Sequence, residues 1–146
     1  MQRLPRSNAL ILGASLLLAA CIAEYKDISD SVFYSETIGI NCDIKLQLNA
    51  YGVTLKLEKE KRTDLVVLSD LSLRGPEFTF STVLTRGVRL QVLAVQQCIN
   101  CPFENRIEYR VKVTPPPAQF MDKPVFLSDA LLSSPNLACK TAKSAA

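Results

Sequence analysis

The sequence predicts an all-β protein, a small antiparallel β-sandwich of six or seven short strands. Three observations support this prediction. Apolar and polar residues alternate over several short segments, turn-forming residues separate these segments, and no segment carries a long helical repeat of apolar residues. The length of 146 residues and the apolar content of 48% suit one folded domain with a targeting segment.

The first two strands are predicted on either side of Asn49–Gly52, a segment of turn-forming residues. Before it, apolar residues occupy every second position from Cys42 to Leu48. After it, a second alternating run extends from Val53 to Leu57. Two alternating runs around a short turn that contains glycine predict a β-hairpin.

Four further strands are expected before the first proline cluster. The Gly75-Pro76 break and the Thr85–Gly87 turn separate them. One of the four is apolar on both faces, which is typical of a strand in the centre of a sheet. The four are Leu65–Leu68, Phe78–Val83, the doubly apolar Val88–Val95, and Ile107–Val113.

Residues 114–146 are predicted to form a Pro-rich linker and a C-terminal tail. The run Pro115–Pro117 ends strand pairing because proline has no N–H to donate. Ser128 is a candidate N-cap for a short helix that ends at Leu132. The β-sandwich domain is therefore assigned to residues 38–113.

A sparse pattern within that domain matches a known repeat. Its residues are Gly52–Leu57, Asp64-Leu65, Phe78–Phe80, Leu84, Gly87, Val92 and Val95, followed by a cysteine. The pattern resembles the immunoglobulin-like or fibronectin-type repeat of bacterial surface proteins and lipoproteins. The resemblance implies an immunoglobulin-like sandwich that is present as a single copy.

The first twenty residues have the organisation of an export signal. Arg3 and Arg6 form a basic region, and Ala9–Leu18 form an apolar stretch of the usual length. Even when it is extended to Ala23, the apolar run is shorter than the roughly 20 residues that a membrane-spanning helix needs. A cleaved signal is therefore favoured over a permanent transmembrane anchor.

The signal ends in Leu18-Ala19-Ala20-Cys21, which resembles the lipobox of bacterial lipoprotein precursors. The resemblance implies a thioether between the Cys21 sulfur and a diacylglyceryl group, cleavage after Ala20, and acylation of the new amino group. Residues 1–20 are then the signal peptide, and residues 21–37 are a lipidated tether. Ile22 replaces the Asp that usually signals inner-membrane retention. The chain is therefore expected on the outer membrane, lipid-anchored, facing the periplasm or the cell surface.

Four cysteines remain after Cys21: Cys42, Cys98, Cys101 and Cys139. Exported proteins reside where disulfides persist, so this even number predicts two structural disulfides. All three connectivities stay open. A bridge from Cys139 to the domain would hold the tail in place, since the tail has little apolar surface of its own.

The Cys98–Cys101 pair has two alternative interpretations. A thiol–disulfide redox pair usually begins a helix, whereas this pair follows a strand and precedes Pro102. A zinc site would require all four thiolates, but structural zinc sites favour two CxxC pairs and one is present. Neither a metal nor a cofactor is expected.

Composition argues against several classes of function. The chain contains no histidine, which removes histidine bases, histidine-assisted nucleophiles and histidine metal ligands. Arg3 and Arg6 lie in the signal, and the remaining 15 basic residues face 14 acidic ones, so no nucleic-acid partner is expected. The acidic residues Glu58, Glu60 and Asp64 interleave with basic residues, as in a solvated turn. No small-molecule substrate is indicated.

Three aromatic residues lie in the expected tether: Tyr25, Phe33 and Tyr34. They are interpreted either as a strip that docks a partner or as an additional strand that packs on the sandwich. The two interpretations stay open.

These observations predict a non-enzymatic lipoprotein that acts as a structural or protein-binding module of the cell envelope. An accessory subunit of a secretion system or of a surface appendage is one such role. One alternative is a periplasmic redox protein that uses Cys98 and Cys101. Another is a pilotin or chaperone that binds its partner by adding a strand to a sheet edge.

Overall fold

The computed structural model describes residues 24–56, 59–100 and 106–140. Its strand content confirms the predicted β class. The strands are β1 (Tyr25–Asp27), β2 (Asn41–Ile44), β3 (Leu48–Val53), β4 (Leu65–Ser69), β5 (Phe78–Leu84), β6 (Arg89–Cys98), β7 (Ile107–Thr114), β8 (Val125–Ser128) and β9 (Leu137–Lys140). A 3-10 helix spans Ala118–Phe120, and helix α1 spans Asp129–Leu132.

The described strands form one mixed sheet in the order β5-β3-β4-β8-β7-β6-β2-β9. Strands β1 and β2 lie one after the other along the same side of β6, where Tyr25 pairs with Cys98 and Asn41 pairs with Gln91. Strand β8 runs parallel to β4, whereas the other pairs are antiparallel. The sheet is therefore mixed, which differs from the purely antiparallel arrangement that the sequence predicts.

One side of the sheet supplies a single hydrophobic core. In β7 the buried residues Tyr109, Val111 and Val113 alternate with the exposed Arg110 and Lys112, as their sequence predicts. The core continues to Leu84 at one end of the strand order and to Leu137 at the other. Strand β6 pairs with three other strands, so it is an interior strand, although it lies third from one end of the strand order and not at the predicted centre.

The predicted hairpin around Asn49–Gly52 is wrong. Strand β2 ends at Ile44, and Asn49–Gly52 lie inside β3, paired with both β4 and β5. Gly52 is needed here for close packing, because a Cβ atom at this position would collide with the Phe80 ring and the Thr79 hydroxyl. Burial of Leu48 and Ala50 in the core outweighs the local turn preference.

The segment after residue 113 is part of the sheet, which differs from the expected linker and tail. Strand β7 ends at Thr114, before a cis Thr114–Pro115 peptide bond. The chain then returns as β8, between β4 and β7. The predicted short helix is confirmed: the Ser128 Oγ accepts a hydrogen bond from the Leu131 N–H at 3.2 Å, and α1 ends at Leu132.

The described part of the expected tether, from residue 24 onward, packs against the domain. Tyr25 lies in β1, which is an additional strand on β6. Tyr34 packs on the core, whereas the side chain of Phe33 is 84% exposed. The interpretation as an additional strand is therefore confirmed for Tyr25, and Tyr34 packs on the core, whereas Phe33 projects into solvent. Docking of a partner stays a prediction.

Candidate functional site

A disulfide joins Cys42 in β2 to Cys139 in β9, across a pair of directly opposite residues. This bond confirms one expected disulfide and selects among the connectivities that the sequence leaves open. Cys98 is also disulfide-bonded. Cys21 and Cys101 lie outside the described residues.

The environment of Cys98 is that of a strand end. It is fully buried at the end of β6, and its N–H donates to the Arg106 carbonyl at 2.8 Å. Thiols are activated in partly exposed positions at helix N-termini or beside cations, whereas Cys98 is fully buried. The Cys42–Cys139 bond also uses two of the four thiolates that the zinc alternative requires.

Two of the three acidic residues singled out in the sequence, Glu60 and Asp64, lie in the described part of the chain. Asp64 accepts a hydrogen bond from the Leu55 N–H at 2.7 Å and so holds a turn together. Glu60 is exposed, and Glu58 lies outside the described residues. Within residues 24–56, 59–100 and 106–140, no three His, Cys, Asp or Glu side chains cluster as metal ligands would. A search of the same residues finds no helix that is long and apolar enough to span a membrane.

The most distinctive surface of the described sheet is its β5 edge. Among the described strands, β1, β9 and β5 each pair with one neighbour. Strand β1 carries the exposed charges of Lys26 and Asp27, and β9 carries exposed Lys140. Charged residues at an edge discourage pairing with another chain. The seven residues of β5, FTFSTVL, include no charge and no proline.

Strand β5 is held by β3 on one side, and no described strand pairs with its other side. Leu48 pairs with Leu84, and Gly52 pairs with Phe80. In an antiparallel edge strand, alternate residues direct their N–H and C=O groups away from the sheet. Ser81 and Val83 are the exposed side chains of β5. The strand therefore presents unpaired backbone groups next to small, uncharged side chains.

The loop after β4 packs over Tyr51 of β3, next to β5. The Tyr51 hydroxyl accepts a hydrogen bond from the Leu73 N–H at 3.0 Å and donates one to the Leu71 carbonyl at 3.1 Å. The loop leaves two open hollows of about 420 and 370 Å³ along β5, both lined by Tyr51 and Arg74. A strand added at this edge would form backbone hydrogen bonds with β5, and its side chains would lie near the two hollows. Recognition by strand addition uses this arrangement.

The lack of charge and proline in Phe78–Leu84 is visible in the sequence, whereas the position of this strand at an edge follows from the sheet topology. Comparisons of the chain with protein-family models, with curated proteins and with solved structures find no match.

Proposed function

We propose that the protein is a lipoprotein of the bacterial outer membrane that binds an extended segment of another envelope protein at its β5 edge. The uncharged edge strand is the observation that carries the binding part of the proposal. Natural sheets protect long, apolar edge strands unless a partner covers them. A membrane anchor would hold this protein close to a partner in the envelope, and that partner could cover the β5 edge.

The membrane anchor is supported by the N-terminal sequence. Leu18–Cys21 has the lipobox order, and a basic region and an apolar stretch precede it at the usual spacing. Two acyl chains or more give stable membrane attachment, whereas one myristoyl chain binds only marginally. The protein would face the periplasm or the cell surface.

We further propose that the sheet folds over itself as an immunoglobulin-like sandwich. Buried residues of β5 and β9, at opposite ends of the strand order, belong to the same hydrophobic cluster. The one described α-helix has four residues, so it covers little of the inner face. An experimental structure with β2 and β9 packed over β3 and β5 would support the sandwich, and an open sheet would contradict it.

The redox alternative has less support than binding. Cys98 is fully buried at the end of strand β6, whereas reactive thiols lie in partly exposed positions. We therefore propose a non-enzymatic role in which the disulfides are structural.

Photo-crosslinking in intact bacteria tests the proposed binding edge. A photoreactive residue at Ser81, on β5, is expected to form a covalent adduct with one envelope protein. The same residue at Lys26, on the charged β1 edge, is the matched control and is expected to give little of that adduct. Val83→Lys places a charge on β5 and is expected to remove the Ser81 adduct while the protein stays folded.

Equal adducts from both positions would show that β5 has no special role. A covalent dimer of the chain itself would assign the edge to self-association instead of a different partner.

A further inference from the structure

A second surface lies on the outer face of β7, where the loop between β7 and β8 forms a groove. The cavity has a volume of about 620 Å³, which is within the range of ligand sites. Arg110 and Lys112, which point outward from β7, line it together with Lys123 from the loop. No residue of β5 lines this groove, so it is separate from the β5 edge.

The groove carries excess positive charge. Arg110, Lys112 and Lys123 line it together with one acidic residue, Asp122. The ion pairs found among the described residues join Arg89 to Asp43 and Arg106 to Glu108, so none involves these three cations. Cations left without carboxylate partners in a concave surface attract anionic ligands.

The loop that walls the groove is anchored to the sheet by packing and by a backbone hydrogen bond. It begins with Pro115–Pro117, and Phe120 anchors it, buried and stacked on Phe80 at a centroid distance of 6.2 Å. At its other end, the Pro124 carbonyl accepts a hydrogen bond from the Val66 N–H at 2.9 Å. A preformed wall lowers the entropy that binding would otherwise cost.

Apolar side chains stand at the rim of the groove. Met121 is 64% exposed, and its backbone has a φ of 45°, in the left-handed region that residues other than glycine rarely adopt. Leu93 is half-exposed at the irregularity of β6 between Val92 and Ala94. Such an irregularity redirects a side chain. The groove thus combines cations with adaptable apolar contacts.

We propose that this groove binds an acidic, extended peptide segment with carboxylates at alternate positions. Arg110 and Lys112 are two residues apart on one strand, so they lie about 6.7 Å apart along its axis. Alternate side chains of an extended peptide have the same spacing. Arg110 can bind a carboxylate with two parallel hydrogen bonds, and Lys112 can bind the next one as a point charge. Met121 and Leu93 contact apolar residues of the peptide.

Fluorescence anisotropy with the purified full chain tests the proposal. The probe is a labelled peptide in which glutamates alternate with leucines, and the control peptide has glutamines in place of the glutamates. The acidic peptide is expected to bind, more weakly as salt increases, and the glutamine peptide at least tenfold more weakly. Inorganic phosphate and phosphatidylglycerol vesicles are measured in parallel.

Charge-removing variants locate the site. Arg110→Gln and Lys112→Gln are each expected to weaken binding of the acidic peptide about tenfold, the effect of losing one charge-assisted hydrogen bond. Lys26→Gln removes an exposed charge from β1 and is expected to leave binding unchanged. Binding of the acidic peptide to Lys123→Gln shows whether the loop side of the groove contributes to affinity, because this residue lies outside β7. Circular dichroism verifies that each variant is folded.

Three results would overturn the proposal. The first is equal loss of affinity in Lys26→Gln and Lys112→Gln, which would reflect net charge alone. The second is equal binding of the glutamine peptide. The third is binding of phosphate or of phosphatidylglycerol vesicles without binding of the acidic peptide.

Discussion

Cys42 and Cys139 lie opposite each other in β2 and β9, and their disulfide joins segments that are 97 residues apart in the chain. Strand β9 pairs with one strand of the described sheet, β2. The covalent bond therefore holds an edge strand whose burial is slight: Leu137 is its one buried residue.

Loss of this disulfide is expected to destabilise the domain. A native disulfide that closes a long loop contributes about 2–4 kcal/mol, largely by limiting the unfolded chain. Cys139→Ser is expected to lower the free energy of unfolding by this amount, measured by urea denaturation. The double variant Cys42→Ser/Cys139→Ser is the control and is expected to match the single variant. An unchanged urea midpoint in Cys139→Ser would show that the bond adds no stability.

The proposed lipid anchor predicts a specific effect of Cys21. Cys21→Ser is expected to release the protein from membranes or to leave it as an uncleaved precursor, because serine lacks the thiol that forms the thioether. Cys139→Ser is the matched control and is expected to stay in the outer-membrane fraction. Mass spectrometry of the native protein is expected to find an acylated terminus at residue 21. Fractionation of Cys21→Ser with the outer membrane would argue against this anchor.

Tyr109 predicts a decrease in stability at alkaline pH. Burial raises its pKa well above the ordinary value, and the hydrogen bond that its hydroxyl donates to Asp129 at 2.7 Å raises it further. Because folding raises the pKa of Tyr109, its contribution to stability is fully present below about pH 10, where the tyrosine is protonated in both the folded and the unfolded state. Above that pH the unfolded chain releases the proton first, so stability falls.

The expected measurement is the free energy of unfolding between pH 8 and pH 11. Above pH 10, the free energy of unfolding of Tyr109→Phe is expected to fall less steeply with pH than that of the wild type. The difference in slope corresponds to at most one proton released on unfolding. The variant also loses the hydrogen bond to Asp129 at every pH. Burial also raises the pKa of Tyr25. The same measurement on Tyr25→Phe therefore separates the contribution of Tyr25 to the pH dependence from that of Tyr109. Identical slopes in Tyr109→Phe and the wild type would rule out this linkage.

Strand β8 predicts that the C-terminal segment is essential to the fold. Leu127 is 1% exposed in the core, so Leu127→Ala is expected to cost about 2–5 kcal/mol through lost burial and a cavity. Leu55, which is 71% exposed, supplies the control, and Leu55→Ala is expected to change stability by no more than about 0.5 kcal/mol. Urea denaturation measures both. A small effect of Leu127→Ala would mean that β8 is dispensable.

Strands with a clear local pattern were predictable from the sequence. In β7, alternation places Tyr109 and Val111 inside and Arg110 outside, and the structure agrees. The Ser128 cap and the end of α1 at Leu132 also follow from local chemistry. In each case the deciding interaction lies within a few residues, so it is visible in the sequence.

The candidate sites were only partly predictable. The sequence shows that Phe78–Leu84 lacks charge and that Arg110 and Lys112 point to one face of a strand. It does not show that β5 lies at an edge, or that Lys123 joins Arg110 in one groove. Both facts depend on the order of strands that are distant in sequence.

By itself, the sequence determined the β class, most strands and the short helix cap, because each depends on neighbouring residues. Only the tertiary structure decided that Asn49–Gly52 form part of a strand, that β8 enters the middle of the sheet, and that Cys42 pairs with Cys139. These outcomes depend on burial and backbone pairing between distant segments, whose free energy exceeds the local preferences that a sequence pattern records.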